Sequence, residues 1–148
     1  MKLVIQRVSQ ASVSVNKNTI ASIGKGLLVL VGFSAGDEKA NVNFPFFIKK
    51  CTQMRLFEDE AGKMNLSLKD IGGEILVVSQ FTLCADLRSG NRPSFTTALE
   101  PTLAKELYVD FCKELENVLG QEKVQRGEFG ADMQVALIND GPVTFYIE

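Results

Sequence analysis

Histidine is absent from this chain of 148 residues. That absence excludes a Ser-His-Asp or Cys-His nucleophile and any His-ligated metal. Cysteine is sparse: Cys51, Cys84 and Cys112 lie far apart and are odd in number, which suits reduced thiols in the cytoplasm and cannot close a zinc site. No metal and no cofactor is therefore expected. No apolar run approaches the roughly 20 residues of a membrane helix. The N-terminus lacks the small-residue cleavage site of a signal peptide, so no membrane partner is expected either. Excess charge is also missing. The formal net charge of −2 argues against a general nucleic-acid binder, although it leaves room for a local basic patch. An enzyme of this composition draws its base from a perturbed carboxylate or lysine, or leaves proton transfer to its substrate.

What is present is a hydrophobic content of 45%, enough at this length to bury the core of one domain, residues 1–148. Residues 2–8 and 12–15 read as strands with a turn at Ser9-Gln10, and Thr19 to Ile23 as another. Gly26 to Phe33 is an apolar run between glycines. A helix is expected over about 38–52, although Pro45 either kinks it or moves its regular part to begin near Phe44. Met54 to Phe57 reads as a short strand, with Glu58 to Lys63 an exposed turn. Pro101 opens a second helix, the stripe Leu103, Leu107, Phe111, Leu115 and Val118 carries it, and Gly120 ends it. Lys123 to Gln125, Met133 to Ile138 and Val143 to Ile147 read as strands. The expected fold class is α/β: a single β-rich domain with mixed and antiparallel sheets and two main helices, about 38–52 and 101–119.

The central stretch runs from Gly73 to Leu83. Ile75 to Val78 is an unbroken apolar run, the pattern of a strand buried on both faces. Ser79, Gln80 and Thr82 follow where the run ends. They either cap the strand and tie down the next loop, or present hydroxyls, an amide and backbone N–H groups to a ligand, as strand ends of open α/β sheets do. Asn139-Asp140-Gly141-Pro142-Val143-Thr144 joins the last two strands. Asn-Asp-Gly is hairpin chemistry, so a tight turn is the plain reading. Gly before Pro adds a second one, a cis bond that turns successive carbonyls in an unusual direction.

These two stretches carry a resemblance. Ser79-Gln80-Phe81-Thr82-Leu83 with Gly141-Pro142-Val143-Thr144 is similar to the D-aminoacyl-tRNA deacylase family. Gln6-Arg7-Val8, Gly62-Lys63-Met64-Asn65 and Gly90 to Phe95 match the same pattern. The resemblance implies a homodimer that hydrolyses the ester joining a D-amino acid, or mischarged glycine, to the 3′-terminal adenosine of tRNA. It implies a metal-free site at the subunit interface, with a cis Gly141-Pro142 bond inserted into the partner's pocket. It maps Ser79, Gln80, Phe81 and Thr82 to the pocket wall and gives Arg7 the task of holding the Gly-Pro loop. The other reading of Arg7 is an exposed arginine on an edge strand.

An aminoacyl ester is already an activated acyl donor, so the main task is to stabilise its oxyanion. Backbone N–H groups near Phe81 and Thr82 suit that task, and the ribose 2′-hydroxyl would serve the proton transfer. The competing mechanism makes Thr82 a covalent nucleophile, which needs an adjacent base. Arg88 and Arg92, with Lys63 and Lys69, either contact tRNA phosphates or form a solvated loop. Asp86 and Asp140 are bases or turn residues, and Cys84 is a buried filler or a nucleophile. Two other functions fit: a non-catalytic binding module for nucleotides or charged tRNA, and a general esterase or thioesterase.

Overall fold

The computed structural model describes residues 1–148. Its centre is β6 (Glu74–Ser79), and alternation along that strand divides the interior into two cores. Ile75 and Val77 join a large cluster that includes Leu27, Val29 and Phe111. Leu76 and Val78 join a smaller one with Val8, Val13, Ala21 and Ile23. The strand is thus buried on both faces, as its unbroken apolar run predicts. β3 (Gly26–Gly32) lies parallel to it, from Gly26 opposite Glu74 to Val31 opposite Ser79.

β1 (Lys2–Val15) is one strand of 14 residues, not two strands with a turn at Ser9-Gln10. Val8 pairs with Asn139 and Gln10 with Ile138, so Ser9 is an unpaired extra residue, a β-bulge. The bulge changes the inward-facing phase from Val8 to Ala11 and Val13, which locally imitates a break between strands. Antiparallel to β1 lie β3 against its first half and β2 (Asn18–Ile23) against its second. β7 (Val124–Arg126) adds to β6 in parallel. The sheet curls round the smaller core until β2 approaches β6 and β7, giving a nearly closed, barrel-like α/β fold with two helices.

β8 (Met133–Ile147) covers the other side of β1 along its whole length. The hairpin expected at Asn139 to Thr144 does not form, because both halves of β8 pair with β1. Thr144 lies opposite Gln6 and Asn139 opposite Val8, so residues 140–143 bulge out with Arg7 alone facing them. The Gly141-Pro142 peptide bond within the bulge is cis.

The large core is roofed by α1 (Phe44–Gln53) and α2 (Pro101–Leu119). α1 begins at Phe44, the second of the two outcomes expected of Pro45, and not near residue 38. Asn43 caps it by accepting the Phe46 N–H at 3.1 Å, and Pro45 falls in the first turn, where it breaks no hydrogen bond. Residues 38–43 form turns instead, closed by Val42 N–H to Glu38 C=O at 2.9 Å. α2 has the expected limits, and Gly120 ends it with a positive φ of 97°. A separate hairpin, β4 (Arg55–Glu58) with β5 (Met64–Ser67), contributes Leu56 and Phe57 to the large core; β5 has no counterpart in the sequence reading. No helix is long and apolar enough to cross a membrane.

Candidate functional site

At Gln80 the backbone leaves the sheet (φ −144°, ψ 79°), and Phe81–Cys84 winds into a single 3₁₀ turn. Gln80 itself stays anchored, its N–H donating to Val31 C=O at 2.7 Å. The opening N–H groups of such a turn have no acceptor inside it, and those of Phe81 and Thr82 donate to no other group of the chain. The Gln80 side-chain amide donates to the Thr82 hydroxyl. Gly32 makes the arrangement possible: a Cβ there would stand 2.8 Å from the Gln80 carbonyl oxygen.

The loop after the turn folds back. Asp86 and Ser94 bond to each other through both main-chain pairs, at 2.8 and 3.0 Å. This returns Phe95 against Phe81, with ring centroids 4.9 Å apart and edge to face. Both rings stay open to solvent, at 58% for Phe81 and 41% for Phe95. Ala35 N–H then bonds Thr97 C=O at 2.9 Å and Leu99 N–H bonds Phe33 C=O at 2.9 Å. These bonds fix the start of α2 beside the end of β3.

The result is a mostly apolar cavity of about 620 Å³ at the exit of β6. Ser79, Gln80 and Phe81 form one wall, Glu100 and Pro101 another, and Phe129 and Met133 a third. Thr82 is not part of the lining. Glu100 supplies the lining's one charged side chain. It caps α2 by accepting Thr102 N–H at 2.9 Å and Leu103 N–H at 3.1 Å, and these bonds, Thr102 first, hold its carboxyl below the ordinary range.

Gly141 and Pro142 lie elsewhere. Ser79 is level with Val31 and Leu3, whereas Gly141 faces Arg7, which pairs with Leu27. Four residues along the strands and three strand spacings across put the two motifs roughly 20 Å apart in one chain. Both Gly141 and Pro142 are exposed. Arg7, read from sequence as either an edge-strand residue or a support for the loop, is 5% exposed. Its Nε donates to the Asp140 carbonyl at 2.9 Å and its Nη1 to the Leu56 carbonyl at 2.7 Å, linking the bulge to β4.

Asp86, Arg88 and Cys84 are tied up locally. Asp86 receives Arg88 Nε at 2.8 Å and Nη2 at 2.7 Å, and this guanidinium holds its carboxyl well below the usual carboxylate range. Cys84 is buried, with its sulfur 3.5 Å from the Ser34 hydroxyl. Burial pushes the Cys51 and Cys112 thiols up to about 12. No three His, Cys, Asp or Glu side chains cluster as a metal site would require. Sequence reasoning missed Gly32, Glu100, Phe129 and Met133. Of these only Gly32 carried a signal, the glycine that closes an apolar run.

A family model described as D-Tyr-tRNA(Tyr) deacylase matches residues 4–148. A D-aminoacyl-tRNA deacylase of Lactobacillus helveticus (strain DPC 4571) is 55% identical over 148 residues, spanning 100% of this chain and 99% of that protein. The D-aminoacyl-tRNA deacylase of Flavobacterium psychrophilum (strain ATCC 49511 / DSM 21280 / CIP 103535 / JIP02/86) is 54% identical, over 100% of this chain and 97% of that one. Among solved structures, the c-Myc DNA Unwinding Element Binding Protein is similar with a TM-score of 0.93 and 42% identity, covering 100% of this chain and 98% of that chain.

Proposed function

The chain belongs to the D-Tyr-tRNA(Tyr) deacylase family, whose members are hydrolases acting on the ester bond of aminoacyl-tRNA, and from that membership we propose how its two motifs divide the work. The cavity at the exit of β6 receives the 3′-terminal adenosine and its aminoacyl group. Ser79, Gln80 and Phe81 form the catalytic wall, Thr82 follows just outside that lining in the same 3₁₀ turn, and the Phe81 and Thr82 N–H groups take the developing oxyanion. One preorganised donor of this kind is worth about 2.7–4 kcal/mol. The ribose 2′-hydroxyl beside the ester serves the proton transfer, which suits a chain without histidine.

Gly141 and Pro142 of a second copy complete the site, with Arg7 holding them. Their carbonyls accept the substrate α-amino group and crowd the position of an L side chain. A D side chain points away, and glycine, having none, also passes. The observation that carries this reading is the pair of unengaged N–H groups at Phe81 and Thr82, beside an apolar cavity. The need for a homodimer is supported by the roughly 20 Å that separates the motifs within one chain and by the exposure of Gly141 and Pro142. Free, buried cysteines support a cytoplasmic setting.

The test is deacylation of tRNA charged with D-tyrosine, L-tyrosine or glycine, at enzyme far below substrate. Multiple turnovers on the D and glycyl esters with L-tyrosyl-tRNA spared are expected. Stoichiometric binding without turnover would make the protein a binding module. Equal cleavage of free D-amino-acid esters would make it a general esterase, and efficient L-tyrosyl cleavage would overturn the chirality reading. Sedimentation beside the assay tests the dimer: a monomer with full hydrolytic rate excludes a shared site.

A further inference from the structure

We propose that Asn139 is a positioning residue for Gly141 and Pro142. It acts with Thr144 and Gln6 as a clamp on the face of β1 opposite Arg7. The inference rests on the reading that Gly141 and Pro142 sort D from L substrates.

Residues 140–143 have lost their ladder partners, because Asn139 pairs with Val8 and Thr144 with Gln6 while only Arg7 lies between. Backbone groups that leave a ladder need other partners, and the Asn139 side chain supplies one for Val143 across the neck of the bulge. Its Oδ1 accepts the Val143 N–H at 2.8 Å, and its Nδ2 donates to the Thr144 Oγ1 at 2.9 Å. Gln6 Nε2 donates to the same oxygen at 3.3 Å. Neighbouring strand residues point to opposite faces, so Gln6 and Arg7 hold the bulge from two sides. Arg7 holds its entry through the Asp140 carbonyl at 2.9 Å, and Asn139 holds its exit at Val143. A bulge fixed at one end can tilt about that end. Fixed at both, it presents its Gly-Pro carbonyls at one angle.

The residue type follows from the bonding. The position needs an acceptor toward Val143 and a donor toward Thr144, and an amide side chain carries both. Gly141 shows how little slack the bulge has: φ is +141°, and an added Cβ would meet Val143 Cγ2 at 2.6 Å and Val143 N at 2.9 Å.

The experiment compares kcat/KM on D- and L-tyrosyl-tRNA for Asn139→Ala, Thr144→Val, Thr144→Ser and Gly141→Ala. Amide exchange at Val143 is followed in the same proteins. Asn139→Ala and Thr144→Val should each lower the D-to-L ratio by about tenfold or more, the scale of a misplaced contact, and Asn139→Ala should expose the Val143 amide. Thr144→Ser keeps the hydroxyl and should restore the ratio to within about twofold of the parent, since only a methyl group is lost. A purely structural role would lower stability and leave the ratio alone, and that result overturns the proposal. Gly141→Ala separates the two levels. If it changes the ratio while Asn139→Ala and Thr144→Val do not, the clamp is wrong and the chirality reading stands. If none of the three changes it, both fall. Should Asn139→Ala fail to fold, the Thr144 pair decides by the same criterion.

Discussion

Gly32 and Gln80 meet backbone to backbone: a methyl group on Gly32 would lie 2.8 Å from the Gln80 carbonyl oxygen and 3.2 Å from Cys84 Sγ. Gln80 cannot simply retreat, because its N–H is held by Val31 at 2.7 Å. Gly32→Ala should therefore rotate the 3₁₀ turn and carry the Phe81 and Thr82 N–H groups with it. A strained insertion costs about 1–3 kcal/mol of stability, while a shift approaching 1 Å at a reacting centre costs on the order of 10²-fold in rate. The expected result is a folded enzyme with kcat reduced about ten- to a hundredfold, measured in single-turnover deacylation beside a urea titration. A loss of stability with kcat intact would separate Gly32 from the site.

Thr82→Ala distinguishes backbone from side-chain chemistry. The Thr82 hydroxyl is engaged by the Gln80 amide and does not line the cavity. Asp86, the carboxylate nearest in sequence, is occupied by Arg88. Without a base the hydroxyl is a poor nucleophile, so turnover should stay within about tenfold of the parent, whereas loss of an oxyanion donor costs about 10²–10³-fold. Mass spectrometry of the parent enzyme quenched in mid-reaction should show no acylated chain. An acyl adduct on Thr82, absent in the variant along with all activity, would reverse the assignment.

What could be read from sequence followed from how local the determinants are. β6 was legible because burial on both faces makes every position apolar from Ile75 to Val78. α2 was legible because Pro101, the apolar stripe and Gly120 lie within a single element. Ser9 was not, since one extra residue in a continuous strand produces the same local polarity as a turn. Asn139-Asp140-Gly141 carries the local signal of a hairpin, but pairing of both flanks with β1 overrides it. The cavity walls were hidden for a related reason. Glu100, Phe129 and Met133 reach Ser79 only through long-range packing, which no spacing rule records.

Arg7 shows the same dependence on long-range contacts, and its burial makes it testable. Its guanidinium satisfies the carbonyls of Leu56 and Asp140, and Arg7→Ala would strip both of a charged donor. Such bonds contribute about 1.5–3 kcal/mol each. With water partly replacing the guanidinium, a net loss of about 2–4 kcal/mol is expected in the urea midpoint at unchanged m-value. Arg7→Lys should recover only part of it, since a single ammonium cannot copy the planar fork that reaches two strands. Equal stability of Arg7→Lys and the parent would show that charge alone suffices.

Acid should loosen the start of α2. The Glu100 carboxyl is held below its ordinary range by the Thr102 and Leu103 N–H groups. A depressed folded-state pKa means that the unfolded chain takes up the proton first, so the contribution is present above the ordinary carboxylate pKa and is lost as pH falls through the folded value. Glu100→Gln removes the ionised form. It should be less stable than the parent near neutrality, with the difference shrinking as the pH falls below the ordinary carboxylate range. Urea midpoints across that range would reveal it. A constant gap at every pH would mean that the charge of Glu100 does not support the cap.

The loop at the cavity rim tests contact with tRNA through its response to salt. Arg88 is already committed to Asp86, at 2.7 Å, whereas Arg92 forms no ion pair in the chain. Arg92 is thus the better placed of the two to meet a phosphate. Each phosphate neutralised contributes about 0.7–0.9 to the slope of log affinity against log salt. Arg92→Ala should make that slope shallower by about one contact, with chirality unchanged. Asp86→Asn should do the opposite, freeing the Arg88 guanidinium so that binding tightens at low salt and the slope steepens. Fluorescence titrations of tRNA over a salt series measure both. If neither substitution moves the slope, the loop faces solvent and the affinity for tRNA originates elsewhere on the surface.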